Sequence, residues 1–152
     1  MLKWHWHTLD TIPSRVLFDY LRLRSDIFVV EQTCIFSDMD EYDEAAWHLV
    51  GLDEAGRVQA GLRLLAPGVK YTSPSLGRIV LAAPLRGAGL ADTLLQEGLR
   101  QSEVLYPGCG NRIGAQARLQ RFYERQGYVR DGDEYDEDGI PHIEMQFDRP
   151  AA

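Results

Sequence analysis

The stretch Arg86-Gly87-Ala88-Gly89-Leu90-Ala91 has the residue types and spacing to hold an anion. Two glycines let the main chain curl tightly, and the missing Cβ atoms let a ligand approach the N–H groups. Those N–H groups open a helix, where unpartnered donors and the positive end of the dipole favour negative charge. Arg86 adds a permanent cation able to fork onto phosphate oxygens. A pyrophosphate is the natural occupant. Two familiar phosphate motifs do not fit. There is no Gly-Lys-Ser/Thr ending, so the turn is not a P-loop. As a dinucleotide fingerprint it reads Gly87-x-Gly89-x-x-Asp92, with a carboxylate where a third glycine belongs. Glycines between a strand and a helix more often mark a tight turn than a ligand site, so the surrounding elements must decide.

Those elements follow from the periodicity. Trp4 and Trp6 alternate with polar residues and suit a short strand. Pro13-Ser14 opens a helical pattern carried by Val16, Leu17, Tyr20, Leu21 and Phe28. Residues 47–52 and 58–65 are apolar runs joined by the hairpin signal Asp53-Glu54-Ala55-Gly56-Arg57. Residues 67–74 read as loop and 76–82 as a buried strand rich in β-branched and aliphatic residues. Leu90, Ala91, Leu94, Leu95 and Leu99 share one face of the next helix, which ends before Pro107-Gly108. A strand over 113–117, a helix over 119–126 stopped by Gly127, a strand from Tyr128, a charged loop over 131–139 and a strand over 142–147 complete the chain. This order, β-α-ββ-β-α-β-α-ββ, predicts an α/β fold with a mixed central sheet flanked by helices.

At 152 residues with no repeat or linker, the chain (1–152) is expected to form a single domain. A hydrophobic fraction of 45% and a charged fraction of 26% are those of a soluble globular protein. Net charge −7 argues against nucleic acid or an anionic membrane surface as partner. No apolar run approaches the ~20 residues that span a bilayer, and the first residues lack a signal peptide's apolar stretch. Cys34 and Cys109 form no close pair, so free thiols in a reducing cytoplasm are expected, with no metal site.

Arg86, Gly89 and Ala91 match the R/Q-x-x-G-x-G/A signature of the GNAT superfamily of N-acetyltransferases. The resemblance extends over nearly the whole chain and is closest to ElaA-like members. It runs through Phe28-Val29-Val30-Glu31-Gln32, Gly77-Arg78-Ile79-Val80, Leu85-Arg86-Gly87, Gly114-Ala115-Gln116-Ala117, Phe122-Tyr123 and Asp138-Gly139-Ile140-Pro141-His142-Ile143. It implies a V-shaped acyl-coenzyme A cleft. The backbone of Ile79, Val80 and Leu81 would pair with the pantetheine arm. Arg86, Gly87, Ala88, Gly89, Leu90 and Ala91 would hold the pyrophosphate, and Phe122 and Gln116 would line the cleft. Core packing is the ordinary role for a residue like Phe122. Gln116 stands where many members have Asn, with the same donors and acceptor on a longer stem. Tyr123 falls where many members place the acid that serves the departing thiolate.

The implied reaction moves an acetyl group from acetyl-coenzyme A, as cosubstrate, to a primary amine by direct attack. An amine of pKa about 10.4 must first lose a proton, at a cost of about 4.6 kcal/mol at pH 7. A tyrosine hydroxyl of pKa ~10 facing a thiol of ~8.5 stabilises the thiolate by hydrogen bonding as much as by full transfer. Two residues are candidate bases. Glu31 follows an apolar run, where partial burial would raise its pKa. His142 shares a strand face with Glu144 and Gln146. His48 is a weaker third. The acidic segments 38–44 and 131–138 read as solvated loops, able to steer a cation if they flank the acceptor mouth. The expected partner is a small-molecule or peptide amine, with a homodimer left open. Arg24-x-x-x-Phe28 followed by Asp38, Asp40 and Asp43 also resembles acyl-homoserine lactone synthases of the same fold. A non-catalytic acyl-coenzyme A-binding module is the remaining alternative.

Overall fold

The computed structural model describes residues 1–148. Strands β1 (Lys3–His7), β2 (Trp47–Leu52), β3 (Val58–Leu65) and β4 (Ser75–Leu81) pair in chain order as an antiparallel meander. The hairpin between β2 and β3 closes as its sequence predicts, with Asp53 accepting from the N–H groups of Ala55 and Arg57, both at 2.9 Å. Helix α1 (Ser14–Ser25) covers one face of this sheet and α2 (Leu90–Leu105) the other. With both faces covered, β2 and β3 are buried almost throughout, hence their unbroken apolar runs.

On the α2 face, Leu94, Leu95 and Leu99 pack with Leu49, Ala60, Leu62, Leu64 and Leu76. Each fully buried leucine contributes about 1.5–3 kcal/mol. On the α1 face, the fully buried ring of Tyr20 lies against Gly61. A Cβ at Gly61 would stand 2.7 Å from that ring, so any side chain there would push the helix off the sheet.

The second sheet sets β8 (Ile140–Phe147) between β5 (Asn111–Gln116) and β6 (Tyr128–Arg130). Strand β7 (Tyr135–Glu137) pairs with the start of β8. Helix α3 (Gln120–Arg125) follows a 3-10 turn, Ala117–Leu119. The α/β architecture is as expected, but the central sheet is split. Strands β4 and β5 are tied only at their beginnings, by Arg112 N–H to Pro74 O (2.9 Å) and Leu76 N–H to Asn111 Oδ1 (3.2 Å). Among the described residues no ladder joins them further on, and every ladder is antiparallel. Two strands that start together and then part form a V.

Three local expectations are corrected. The helix from Ser14 runs on as a π-helical turn, Asp26–Glu31, so Phe28 lies beyond the α-helical register. The charged loop over 131–139 contains β7, whose alternation is too short to register as a strand. The segment 38–44 is not simply a solvated loop, because Asp38 and Asp43 are buried. Asp43 and Asp38 take the guanidinium of Arg24 at 2.9 and 2.8 Å, and Arg24 itself is 0% exposed. Asp40 meets Arg63 at 2.6 Å and Arg78 at 3.2 Å. Each aspartate neutralises an arginine that could not otherwise enter the interior.

Candidate active site

A cleft of about 660 Å³ opens between β4 and β5. Its β4 wall is irregular: one more residue of β4 than of β3 lies between the Gly61–Val80 and Arg63–Gly77 pairs, and Arg78 adopts φ 48°. Such a bulge bends a strand away from its neighbours. The edge carrying Ile79, Val80 and Leu81 therefore faces the cleft rather than a partner strand. That edge is partly engaged, since Leu81 O accepts from Arg86 Nε at 3.2 Å.

At the far end of β4 the glycine turn is built as its sequence predicts. Gly87 and Gly89 have φ 86° and 80°, and a Cβ on either would meet nothing within 4 Å. The left-handed backbone demands glycine, and the space above it is open. Gly89 is the N-cap of α2 and supplies no side chain to the first-turn N–H groups. Those donors are free for an anion. Arg86, Gly87, Gly89 and Ala91 line the cleft. The side chains of Ala88 and Leu90 do not, although Leu90 opens the helix and so contributes an N–H. Two further cations line the cleft, Arg118 and Arg125, the latter 3.5 Å from Asp92 in the first turn of α2. Arg125 stacks on the Phe122 ring at 5.4 Å, and Arg118 donates to Gln116 Oε1 at 3.1 Å. Sequence reasoning missed both, because each reads as an ordinary exposed helix charge. Open glycines, free first-turn donors and the adjacent Arg86 fit a coenzyme A pyrophosphate. Among the described residues no cluster could hold a metal ion.

The acid–base candidates are not all alike. Tyr123 is only 7% exposed, packs edge-on against Phe122 and Tyr128, and lines the cleft. Its hydroxyl has no hydrogen-bond partner among the described residues, and burial pushes its pKa up to about 12. Phe122 combines both readings: it packs on the core and lines the cleft. Gln116 sits at the end of β5, donating to Gln32 Oε1 at 3.2 Å.

His142 lies on the cleft wall, nearly buried, with Nδ1 2.7 Å from Ile140 O. A carbonyl only accepts, so Nδ1 donates to it and Nε2 is the ring nitrogen turned to Glu137. Nε2 is 3.2 Å from Glu137 Oε2, and Tyr135 lies against the ring. The neighbour that matters is thus Glu137 on β7, not Glu144, which is turned to Arg112.

Glu31 departs from expectation. Its side chain is 45% exposed rather than partly buried, and it is paired with Arg86 at 3.0 Å. His48 is removed as a candidate. Its Nδ1 meets Tyr20 Oη and its Nε2 meets Asp43 O, both at 2.9 Å. Both ring nitrogens are in use, and burial pushes its pKa down.

A divided sheet with a cleft between its halves and an uncapped helix start at one end is the architecture of an acyltransferase fold. Residues 40–149 match the acetyltransferase (GNAT) domain family, to which the chain belongs. Within it the chain is an ElaA-like, UPF0039 member. A UPF0039 protein of Synechocystis is 36% identical, over 98% of this chain and 97% of its own. The crystal structure of an acyl-CoA N-acyltransferase from Pseudomonas aeruginosa is similar at TM-score 0.91 and 34% identity, covering 97% of this chain and 99% of that one. Escherichia coli ElaA is similar at TM-score 0.90 and 30% identity, covering 97% and 100%.

Proposed function

We propose that the chain transfers an acetyl group from acetyl-coenzyme A to a primary amine by direct attack. The observation that carries this reading is that Tyr123 and His142 stand on the walls of one cleft, whose end is an uncapped helix start. The cosubstrate, when bound, supplies an electrophilic thioester carbonyl. The first turn of α2 and Arg86 hold its pyrophosphate, and the β4 edge positions its arm. His142 Nε2 takes the amine proton, and Glu137 then balances the imidazolium. Phe122 and Tyr128 keep water from the Tyr123 hydroxyl. With a pKa near 12 against ~8.5 for a thiol, full proton transfer from Tyr123 is uphill by about 5 kcal/mol. Tyr123 therefore acts as a hydrogen-bond donor to the leaving sulfur.

Of the residues that suggested a homoserine-lactone-synthase-type reading, Phe28 and Asp38 line the cleft and the others do not. Arg24 and Asp43 do not line the cleft and are consumed in buried ion pairs. We also propose a cytoplasmic location; no described helix is long and apolar enough to cross a membrane. The test is an acetyl-coenzyme A assay across an amine library, with free-thiol detection and mass spectrometry of products. Thiol release without any acetylated amine would overturn the reading.

A further inference from the structure

Arg63 is the least expected residue in the cleft. It is 3% exposed, and its Nη1 and Nη2 are committed to Asp40 and Asp43. Its Nε is buried with no hydrogen-bond partner. A buried donor left unmet costs stability unless something supplies an acceptor. In the β3–β4 register Arg63 stands opposite Gly77, and a Cβ at Gly77 would lie 3.8 Å from that Nε with nothing else within 4 Å. The bare glycine leaves a notch in the cleft directly over the unmet donor.

The charges around the notch point the same way. Arg24, Arg63 and Arg78 are matched by Asp38, Asp40 and Asp43. Lys70 lines the same end and has no carboxylate partner among the described residues; its Nζ sits over the rings of Tyr71 and Tyr42 at 5.5 and 5.9 Å. Ser75, buried in the lining of the same cleft, holds only a 3.4 Å contact to Leu76 O. This side of the cleft offers the Arg63 Nε donor and the unpaired charge of Lys70, while the Asp38 carboxylate that also lines it is neutralised by Arg24 and Arg78. The side built by the second sheet offers Glu137, Asp138 and His142, which suit an ammonium.

We propose that the acceptor is an amine carrying its own carboxylate, an amino-acid-like zwitterion. Its carboxylate is held at the Gly77 notch by Arg63 Nε and Lys70, and its amine is turned to His142. The inference rests on the acyl-transfer reading above, and a binding measurement separates the two.

The full-length protein with coenzyme A is titrated by calorimetry with matched pairs: phenylalanine and phenethylamine, lysine and cadaverine. At least one amino acid is expected to bind about tenfold or more tightly than its decarboxylated partner, as a charge-assisted contact requires. Gly77→Ala fills the notch at an ordinary contact distance and keeps the fold, which thermal melting checks. Lys70→Ala removes the free charge at an exposed position. Both are expected to reduce the preference to below about threefold. Amines that bind as tightly as their amino acids, no binding by any carboxylate, or a preference that survives both variants would overturn the proposal. Selective binding without thiol release counts against the transfer reading alone.

Discussion

Glu31 Oε2 and Arg86 Nη1 meet at 3.0 Å, joining the π-helical turn to the glycine turn. Gln32 reaches Gln116 at 3.2 Å, so the same segment is tethered to the opposite arm of the V. A pyrophosphate at the start of α2 must compete with Glu31 for Arg86. An exposed pair of this kind is worth at most about 1 kcal/mol. Glu31→Gln is therefore expected to tighten coenzyme A binding by about 1.5- to 5-fold by calorimetry, with kcat little changed. A large loss of kcat at unchanged affinity would instead make Glu31 the base.

Acetyl-coenzyme A at ~100 times its dissociation constant should stabilise the fold by about 2.7 kcal/mol, a melting shift of roughly 5–11 °C. Gly89→Asp places a carboxylate in the open space above the helix start, at φ 80°. It should abolish the shift while leaving a cooperative melt. A Gly89→Asp protein that still binds at parental strength would mean the pyrophosphate lies elsewhere.

Tyr123→Phe keeps the ring in its contacts with Phe122 and Tyr128 and removes the free hydroxyl. Single-turnover rate with saturating amine should fall by ~10²–10⁴, with coenzyme A affinity nearly unchanged. A fall of less than about threefold assigns Tyr123 to packing.

His142→Gln should lower kcat/KM for the amine by ~10²–10⁴. Glu137→Gln removes the counter-charge but leaves the ring held by Ile140 O, so its loss should be smaller, on the order of tenfold. Equal, near-parental rates in both variants would remove this pair from the chemistry.

Stability should fall on acidification. Burial alone would raise the Asp43 carboxyl, but hydrogen bonds and charge from Arg24, with Arg63, outweigh it and hold the pKa at about 2. His48 is likewise depressed, by burial. Both groups bind protons more readily when unfolded, so their stabilisation is complete above about pH 6.5 and declines below it. The Asp43 share, about 2 kcal/mol, is lost between roughly pH 4 and 2. Melting temperatures measured from pH 7.5 to 2.5 should drop in that order. A flat profile would contradict the buried ion network.

The strands of the first sheet and both major helices were legible because apolar period and turn residues agree at each. The glycine turn was legible as a turn because Gly87 and Gly89 occupy left-handed positions that few other residues tolerate. The π-helical turn was not, since its residues continue an apolar pattern and only the hydrogen-bond register changes. Nor were the roles of Asp38, Asp43 and Arg63. A charge reads as solvated until its partner is known, and these partners lie 14 to 40 residues away along the chain. Glu137 was hidden in the same manner, by a three-residue strand inside a run of acids.

The free side of β4 has a consequence for handling as well as for chemistry. Unpaired strand edges recruit other chains, and in the proposed reaction this one would have to stay open for the cosubstrate. The bulge at Arg78 twists it out of the flat geometry another strand would need, and Arg78 ties the residue-38 backbone across it at 2.9 and 3.2 Å. A flexible thread such as pantetheine can still slip alongside, whereas a stiff β-strand from a second molecule cannot. Under the proposed acyl transfer, the irregularity that would admit the cosubstrate's arm also makes this edge a poor template for strand pairing with a second chain.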